Sequence, residues 1–191
     1  MKKSLLALGA SNTFGYDPRS YFGGRYPKDA RWTGILESAG YNVINYGHNG
    51  LMIPTERDFS GLSDLIKSRL PVDYITVMLG SNDLLRGLSA KETASRMERF
   101  LSFVIKTAPD ARIILIATPT MERGEWVETD ALIKESARLS PLYRALAVRL
   151  GADFLDAGEW GVGLAYDGVH FSEEGHAAFA RGLAGFLKSL N

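Results

Sequence analysis

Short apolar runs alternate along this chain with longer stretches of helical periodicity, and that alternation restricts the fold more than any other feature. Ser4 to Leu8, Asn42 to Asn45, Tyr74 to Leu79, Arg112 to Ala117 and Asp153 to Leu155 read as strands. The third, Tyr-Ile-Thr-Val-Met-Leu, is rich in β-branched residues, as strands are. Between them lie helical patterns. Asp29 to Ala39 stops at Gly40, and Thr55 to Leu70 stops before Pro71. Ser89 is an N-cap with Glu92 three residues on as its capping-box partner, opening a helix to about Thr107. In that helix Met97, Phe100, Leu101, Val104 and Ile105 recur at helical spacing. Asp130 to Leu150 is helical with an interruption expected near Pro141, and Ser172 caps a last helix to about Leu190. Strands that alternate with helices imply a parallel sheet covered by helices on both faces. Two stretches, Gly15 to Lys28 and Thr118 to Thr129, carry no pattern. Each follows a strand and is a candidate wall or lid.

Length and charge narrow the function. A chain of 191 residues fits a single domain over 1–191 and buries about 70% of its unfolded surface, so it needs no disulfide or metal staple. Lys and Arg total 22 and Asp and Glu total 22, which gives a net charge of zero and no basic footprint for nucleic acid. The absence of cysteine removes disulfides, thiolate metal sites and cysteine nucleophiles together. The three histidines have no metal-ligand spacing, so no metal is expected. No stretch approaches the roughly 20 apolar residues of a membrane span. The start, Met1-Lys2-Lys3, is followed by an apolar run only from Leu5 to Leu8, too short for a signal h-region of about 7–15 residues. These features read as a soluble, cytoplasmic chain; they leave its oligomeric state open.

Ligands of an open parallel α/β sheet bind at the carboxyl ends of its strands. After the first strand comes Gly9-Ala10-Ser11-Asn12, and after the second Tyr46-Gly47-His48-Asn49-Gly50. Gly80-Ser81-Asn82-Asp83 follows the third, and Asp167-Gly168-Val169-His170 comes after the fifth and a Gly-rich loop. Ester cleavage needs a hydroxyl activated by a base, a carboxylate to orient that base, and donors where the oxyanion develops. The rim supplies Ser11, His170, Asp167, and donors from Gly50 and Asn82. Competing motifs are missing: there is no Gly-x-Ser-x-Gly elbow, no Walker A loop and no Gly-x-Gly-x-x-Gly after a strand.

At these residues the sequence resembles the SGNH (GDSL-type) hydrolase family. The matching elements come in the family's order: Gly9 to Ser11, Gly50, Gly80 to Asp83, and Asp167 with His170. The resemblance implies a flavodoxin-like three-layer α/β/α fold with a five-stranded parallel sheet in order 2-1-3-4-5. It implies Ser11 as nucleophile, His170 as general base, and Asp167 as the carboxylate that orients it. It places the oxyanion hole at the backbone N–H groups of Ser11 and Gly50 and the side-chain amide of Asn82. It implies no metal or organic cofactor, and a small-molecule ester as substrate: short acyl, aryl, sugar-acetyl or lysophospholipid in type, with acyl transfer also open.

One residue departs from the family. Its first block reads Gly-Asp-Ser, in which the Asp supports local hydrogen bonding, and this chain has Ala10. Ala10 is the feature that favours the competing reading, a non-catalytic ligand-binding module on the same fold. The other polar groups divide by context. Asp83 braces its loop, and Asp153 and Asp156, the carboxylates that rival Asp167, sit at the fifth strand and are expected to serve the loop. His48 lies near Gly50, at the pocket or the surface, while His176 falls inside the last helix. Trp126 and Trp160 follow the fourth and fifth strands and are candidates for pocket walls or for packing.

Overall fold

A computed structural model describes residues 2–20 and 22–190. Met1, the first residue of the basic start, and position 21 of the unpatterned stretch 15–28 lie outside the described residues, as does Asn191. The sheet has five parallel strands: β1 (Ser4–Gly9), β2 (Asn42–Gly47), β3 (Tyr74–Met78), β4 (Arg112–Ala117) and β5 (Asp153–Asp156). Their order is β2-β1-β3-β4-β5, the flavodoxin-like order expected. Register is continuous across the sheet: Leu6 pairs with Ile44 on one side and Ile75 on the other, Ile75 with Ile113, and Leu115 with Phe154.

Among the described residues, seven helices accompany the strands. They are α1 (Ser11–Phe14), α2 (Trp32–Ser38), α3 (Phe59–Lys67), α4 (Ser81–Leu85), α5 (Ala90–Thr107), α6 (Asp130–Leu150) and α7 (Glu173–Ser189), with a 3₁₀ turn at Ala157–Trp160. Side chains alternate across a strand, so the sheet divides its apolar residues between two cores. Leu6, Leu8, Ile75, Val77, Ile113 and Leu115 pack with Ile66 of α3, Phe100 of α5 and Tyr143 of α6. Leu5, Ala7, Tyr74, Ile114 and Ile116 pack with Trp32 and Leu36 of α2 and with Phe179 and Leu183 of α7. Central β3 is buried at every position, as a strand covered on both faces must be.

Element ends differ from expectation for local reasons. The helix expected from Asp29 begins at Trp32, because Ala30 and Arg31 spend their N–H groups on Pro27 in a preceding turn. The helix expected from Thr55 begins at Phe59, since Thr55 donates its N–H and hydroxyl to the Asp58 carboxylate in a turn of its own. The interruption expected at Pro141 does not occur. Proline forfeits one hydrogen bond, but buried Leu139 on one side and Tyr143, Leu146 and Ala147 on the other hold both halves of α6 in line. The Ser89–Glu92 capping box forms as read, with Ser89 accepting from the Glu92 N–H and Glu92 accepting from the Ser89 N–H. No helix among the described residues is long and apolar enough to cross a membrane.

Candidate active site

The first strand ends in a tight turn into α1, with Ser11 at the first helical position. The N–H groups of a helix's first turn have no intrahelical acceptor, so the Ser11 N–H projects from the helix end. The hydroxyl points to the segment that follows β5. Ser11 Oγ lies 2.9 Å from His170 Nε2, and His170 Nδ1 lies 2.6 Å from Asp167 Oδ2. The structure thus brings Ser11 to His170, 159 residues away in sequence, and to the Asp167 beside it, and all three are buried: 7% exposed for Ser11, 2% for His170 and 1% for Asp167.

The Asp167–His170 turn is self-contained. Asp167 Oδ1 accepts the backbone N–H groups of Val169 and His170, each at 2.9 Å, while Oδ2 faces the ring. Burial pushes the Asp167 carboxyl up, but the bonds from the His170 ring and from the His170 and Val169 backbone outweigh it, and the net position is below the usual value. The carboxylate is therefore charged and accepts only, so the Nδ1–Asp167 bond needs a proton on Nδ1.

The two unpatterned stretches form the walls. Trp126 N–H donates to the Asp167 carbonyl at 3.1 Å and Glu122 N–H to the Gly168 carbonyl at 3.1 Å, so the 118–129 segment is laced to the Asp167 turn. The fit demands glycine at two places. A Cβ on Gly124 would lie 2.4 Å from the Asp167 carbonyl carbon, and one on Gly168, whose φ is +79°, would lie 2.1 Å from the Glu122 oxygen. The Trp126 ring stands edge-on to His170 with centroids 4.9 Å apart, and Tyr16 from the 15–28 stretch lies 4.6 Å from the same imidazole. Trp126 remains 46% exposed, so an aromatic surface opens beside the histidine.

The expected oxyanion donors sit on neighbouring turns. Gly50, at φ +69° and exposed, follows β2. Asn82 lies in the first turn of α4, and its Nδ2 donates to the Leu51 carbonyl at 2.9 Å, which ties it to the residue next to Gly50. An amide nitrogen carries two hydrogens, and Nδ2 commits one of them to Leu51. Buried Asp83 braces the same junction by accepting from Ile53 N–H at 3.0 Å and pairing with Arg96 at 3.2 Å. Burial raises its carboxyl above the usual range against the lowering effect of those partners.

The remaining polar candidates resolve as structure. His48 is exposed, with its ring edge on Tyr46. His176 is buried between Tyr26 and Phe171. Trp160 packs on Phe179 and closes over Gly182 in the α7 core, so only Trp126 of the two tryptophans reaches the site. Asp153 pairs with Arg112, and Asp156 holds Ser140 and the Gly158 N–H. No group of three or more His, Asp or Glu side chains among the described residues is placed to hold a metal. Sequence alone did not single out Tyr16 or Asn12. Tyr16 lies in a stretch without periodicity and carries no signal. Asn12 had one available clue, a polar side chain beside the candidate nucleophile in a buried turn.

A flavodoxin-like α/β/α sheet with its polar groups gathered at the carboxyl ends of the strands is the architecture of an SGNH-type hydrolase. A family model described as the GDSL-like lipase/acylhydrolase family matches residues 7–178, and the chain belongs to that family. Membership implies a carboxylic ester hydrolase. Among solved structures, a protein of Agrobacterium tumefaciens str. C58 provisionally assigned as an arylesterase is 30% identical, with 99% of this chain and 100% of that one covered and a TM-score of 0.85. Est24, a carbohydrate acetylesterase from Sinorhizobium meliloti, is 26% identical over 100% of both chains, with a TM-score of 0.87. The aryl esterase of M. smegmatis is 26% identical over 99% of this chain and 100% of that one, with a TM-score of 0.86. No curated protein matches the chain.

Proposed function

We propose that this protein hydrolyses carboxylic esters through a covalent acyl-enzyme, with Ser11 as nucleophile, His170 as general base and acid, and Asp167 as the group that orients His170. The observation that carries the reading is the unbroken hydrogen-bond chain from Ser11 Oγ through both His170 nitrogens to Asp167 Oδ2, at 2.9 and 2.6 Å. Ser11 Oγ attacks the acyl carbon as its proton passes to His170 Nε2. The imidazolium is stabilised by charged Asp167, and the oxyanion is held by the N–H groups of Ser11 and Gly50 and by Asn82 Nδ2. When the C–O bond breaks, His170 returns the proton to the departing alkoxide. Water then repeats the sequence in reverse: His170 takes its proton, hydroxide adds to the acyl carbon, and Ser11 leaves with the proton from His170.

The substrate we propose is a short-acyl ester of an aromatic alcohol or a sugar. Relatives named aryl esterase and carbohydrate acetylesterase support the class. The half-exposed indole of Trp126 beside His170 supplies a flat apolar face suited to an aryl ring or to the C–H face of a sugar.

The test is hydrolysis of p-nitrophenyl acetate, butyrate and octanoate by the wild type and by Ser11→Ala. Wild-type turnover that falls with chain length, and a loss of about 10³-fold or more in the variant, is the expected result. Equal rates for both proteins would remove Ser11 from the mechanism. A wild type inert to all three esters and to a fluorophosphonate would favour the binding-module reading that Ala10 suggests.

A further inference from the structure

Ser11 and His170 lie on segments 159 residues apart, and the turn that orients His170 does not by itself set its distance from Ser11. Both Asp167 oxygens are occupied within the 167–170 turn, and the Asp167 and Gly168 carbonyls are tied to the 118–129 segment, so none of these bonds sets the distance from Ser11. What joins it to the Ser11 segment is the neighbouring side chain. Asn12 Oδ1 accepts the Phe171 N–H at 2.9 Å, and Asn12 Nδ2 donates to the Val169 carbonyl at 3.2 Å. The two bonds grip the peptide groups on either side of His170. Asn12 is itself buried, and its carbonyl accepts the Trp32 Nε1–H at 2.9 Å, which anchors the grip to α2.

We propose that Asn12 is a positioning residue that sets the Ser11–His170 separation; this rests on Ser11 and His170 acting as nucleophile and base. The chemistry of the clamp is specific. The flanking backbone presents one acceptor and one donor, and only a carboxamide of this length meets both at once. Aspartate keeps the acceptor and loses the donor, and leucine fills the space and loses both. The clamp also bears on Ala10. That residue lies between β1 and α1, where the resemblance expects an Asp, and its methyl group can make no hydrogen bond. In the Ala10-Ser11-Asn12 turn, the polar tie to the rest of the site is carried by the residue after the nucleophile instead of the one before it.

A clamp and a space-filler differ in what their removal does. A space-filler protects folding, so its loss lowers the number of active molecules and leaves each survivor at full rate. A clamp protects geometry, so its loss lowers the rate of each folded molecule. Displacements of about 1 Å cost on the order of a hundredfold in rate.

The experiment uses the full chain as wild type, Asn12→Leu, Asn12→Asp and Ser11→Ala. Active molecules are counted by fluorophosphonate labelling carried to completion, and kcat and KM for p-nitrophenyl acetate are expressed per labelled site across pH. We expect Asn12→Leu to lose about a hundredfold in kcat per labelled site. Its KM should stay within about twofold, since Asn12 is buried away from substrate, and the inflection of its pH profile should not move, since Asp167 and His170 remain paired. Asn12→Asp, with one bond kept, should lose less than Asn12→Leu. Wild-type kcat per labelled site in Asn12→Leu would overturn the clamp, as would a moved pH inflection, and full kcat in Asn12→Asp would overturn the need for the donor. The Ser11→Ala control separates the two readings. Its full activity would overturn the nucleophile assignment and the clamp with it, whereas an inert Ser11→Ala beside a fully active Asn12→Leu would overturn the clamp alone.

Discussion

Acid should destabilise this protein through a histidine outside the proposed chemistry. His176 is fully buried in α7, with Tyr26 and Phe171 against its ring. Its Nε2 has no hydrogen-bond partner, and its Nδ1 accepts weakly from the Trp32 N–H at 3.5 Å. Burial, reinforced by the positive charge of Arg31 and by His170, lowers its pKa from 6.5 to about 3. The unfolded chain therefore binds a proton between pH 6.5 and 3 that the folded chain refuses, and stability falls as pH drops through that window. Each pH unit costs 1.36 kcal/mol once the unfolded histidine is protonated. From pH 8 to pH 5 the loss is about 2 kcal/mol, because only the 1.5 units or so below 6.5 count. His176→Leu removes the titration. Its loss of ring contacts lowers stability by an amount that does not depend on pH, while the acid-dependent part disappears. Guanidinium unfolding of both proteins at pH 8 and pH 5 should show the wild type losing about 2 kcal/mol more than the variant, or about 4–8 °C in Tm for a chain of this size. Identical losses in the two proteins would show that His176 accepts a proton in the folded state, and the reasoning would fail.

Three further outcomes follow from the site. Asp167→Asn should lower kcat by about 10³–10⁴-fold in steady-state assays with p-nitrophenyl acetate, because a neutral amide neither selects the Nδ1–H tautomer nor stabilises the imidazolium; a loss under tenfold would refute the role of Asp167. Trp126→Ala should raise KM for aryl and sugar acetates several-fold while changing kcat less, since nearly half of the indole is exposed beside His170; an unchanged KM on both substrates would remove the indole from recognition. Gly168→Ala combines a positive φ with a backbone clash at 2.1 Å, so chemical denaturation should show about 1–3 kcal/mol lost, together with reduced activity as the Asp167 turn is pushed off Glu122.

The sheet was legible because parallel strands buried on both faces leave short unbroken apolar runs, and β1 to β5 all lie within two residues of the expected ends. β4 was read residue for residue, with the exposed Arg112 at its start and the fully buried run behind it. The two short helices α1 and α4 were not legible. Each spans five residues or fewer at the end of a strand, below the length at which helical periodicity shows. They exist because the chain must turn sharply over the sheet rim. The candidate site was readable where residue type restricts chemistry: Ser11, Asp167 and His170 lie in one hydrogen-bonded chain. It was opaque where geometry alone decides. Nothing in their spacing separates Trp126, which meets His170, from Trp160, which meets Phe179. Asn12 was not singled out, because its place in the site depends on the Val169 and Phe171 backbone lying on either side of its amide.

The central claim is that Ser11 is the nucleophile, and the measurement closest to it is the site of covalent capture. Wild-type protein treated with a fluorophosphonate, digested and mapped by peptide mass spectrometry should carry one adduct, on the Ser11 hydroxyl. The same treatment of His170→Ala should leave the peptide unmodified on the same timescale, since the hydroxyl then lacks its base. An adduct on another residue, or continued ester hydrolysis after Ser11 is fully blocked, would contradict the account.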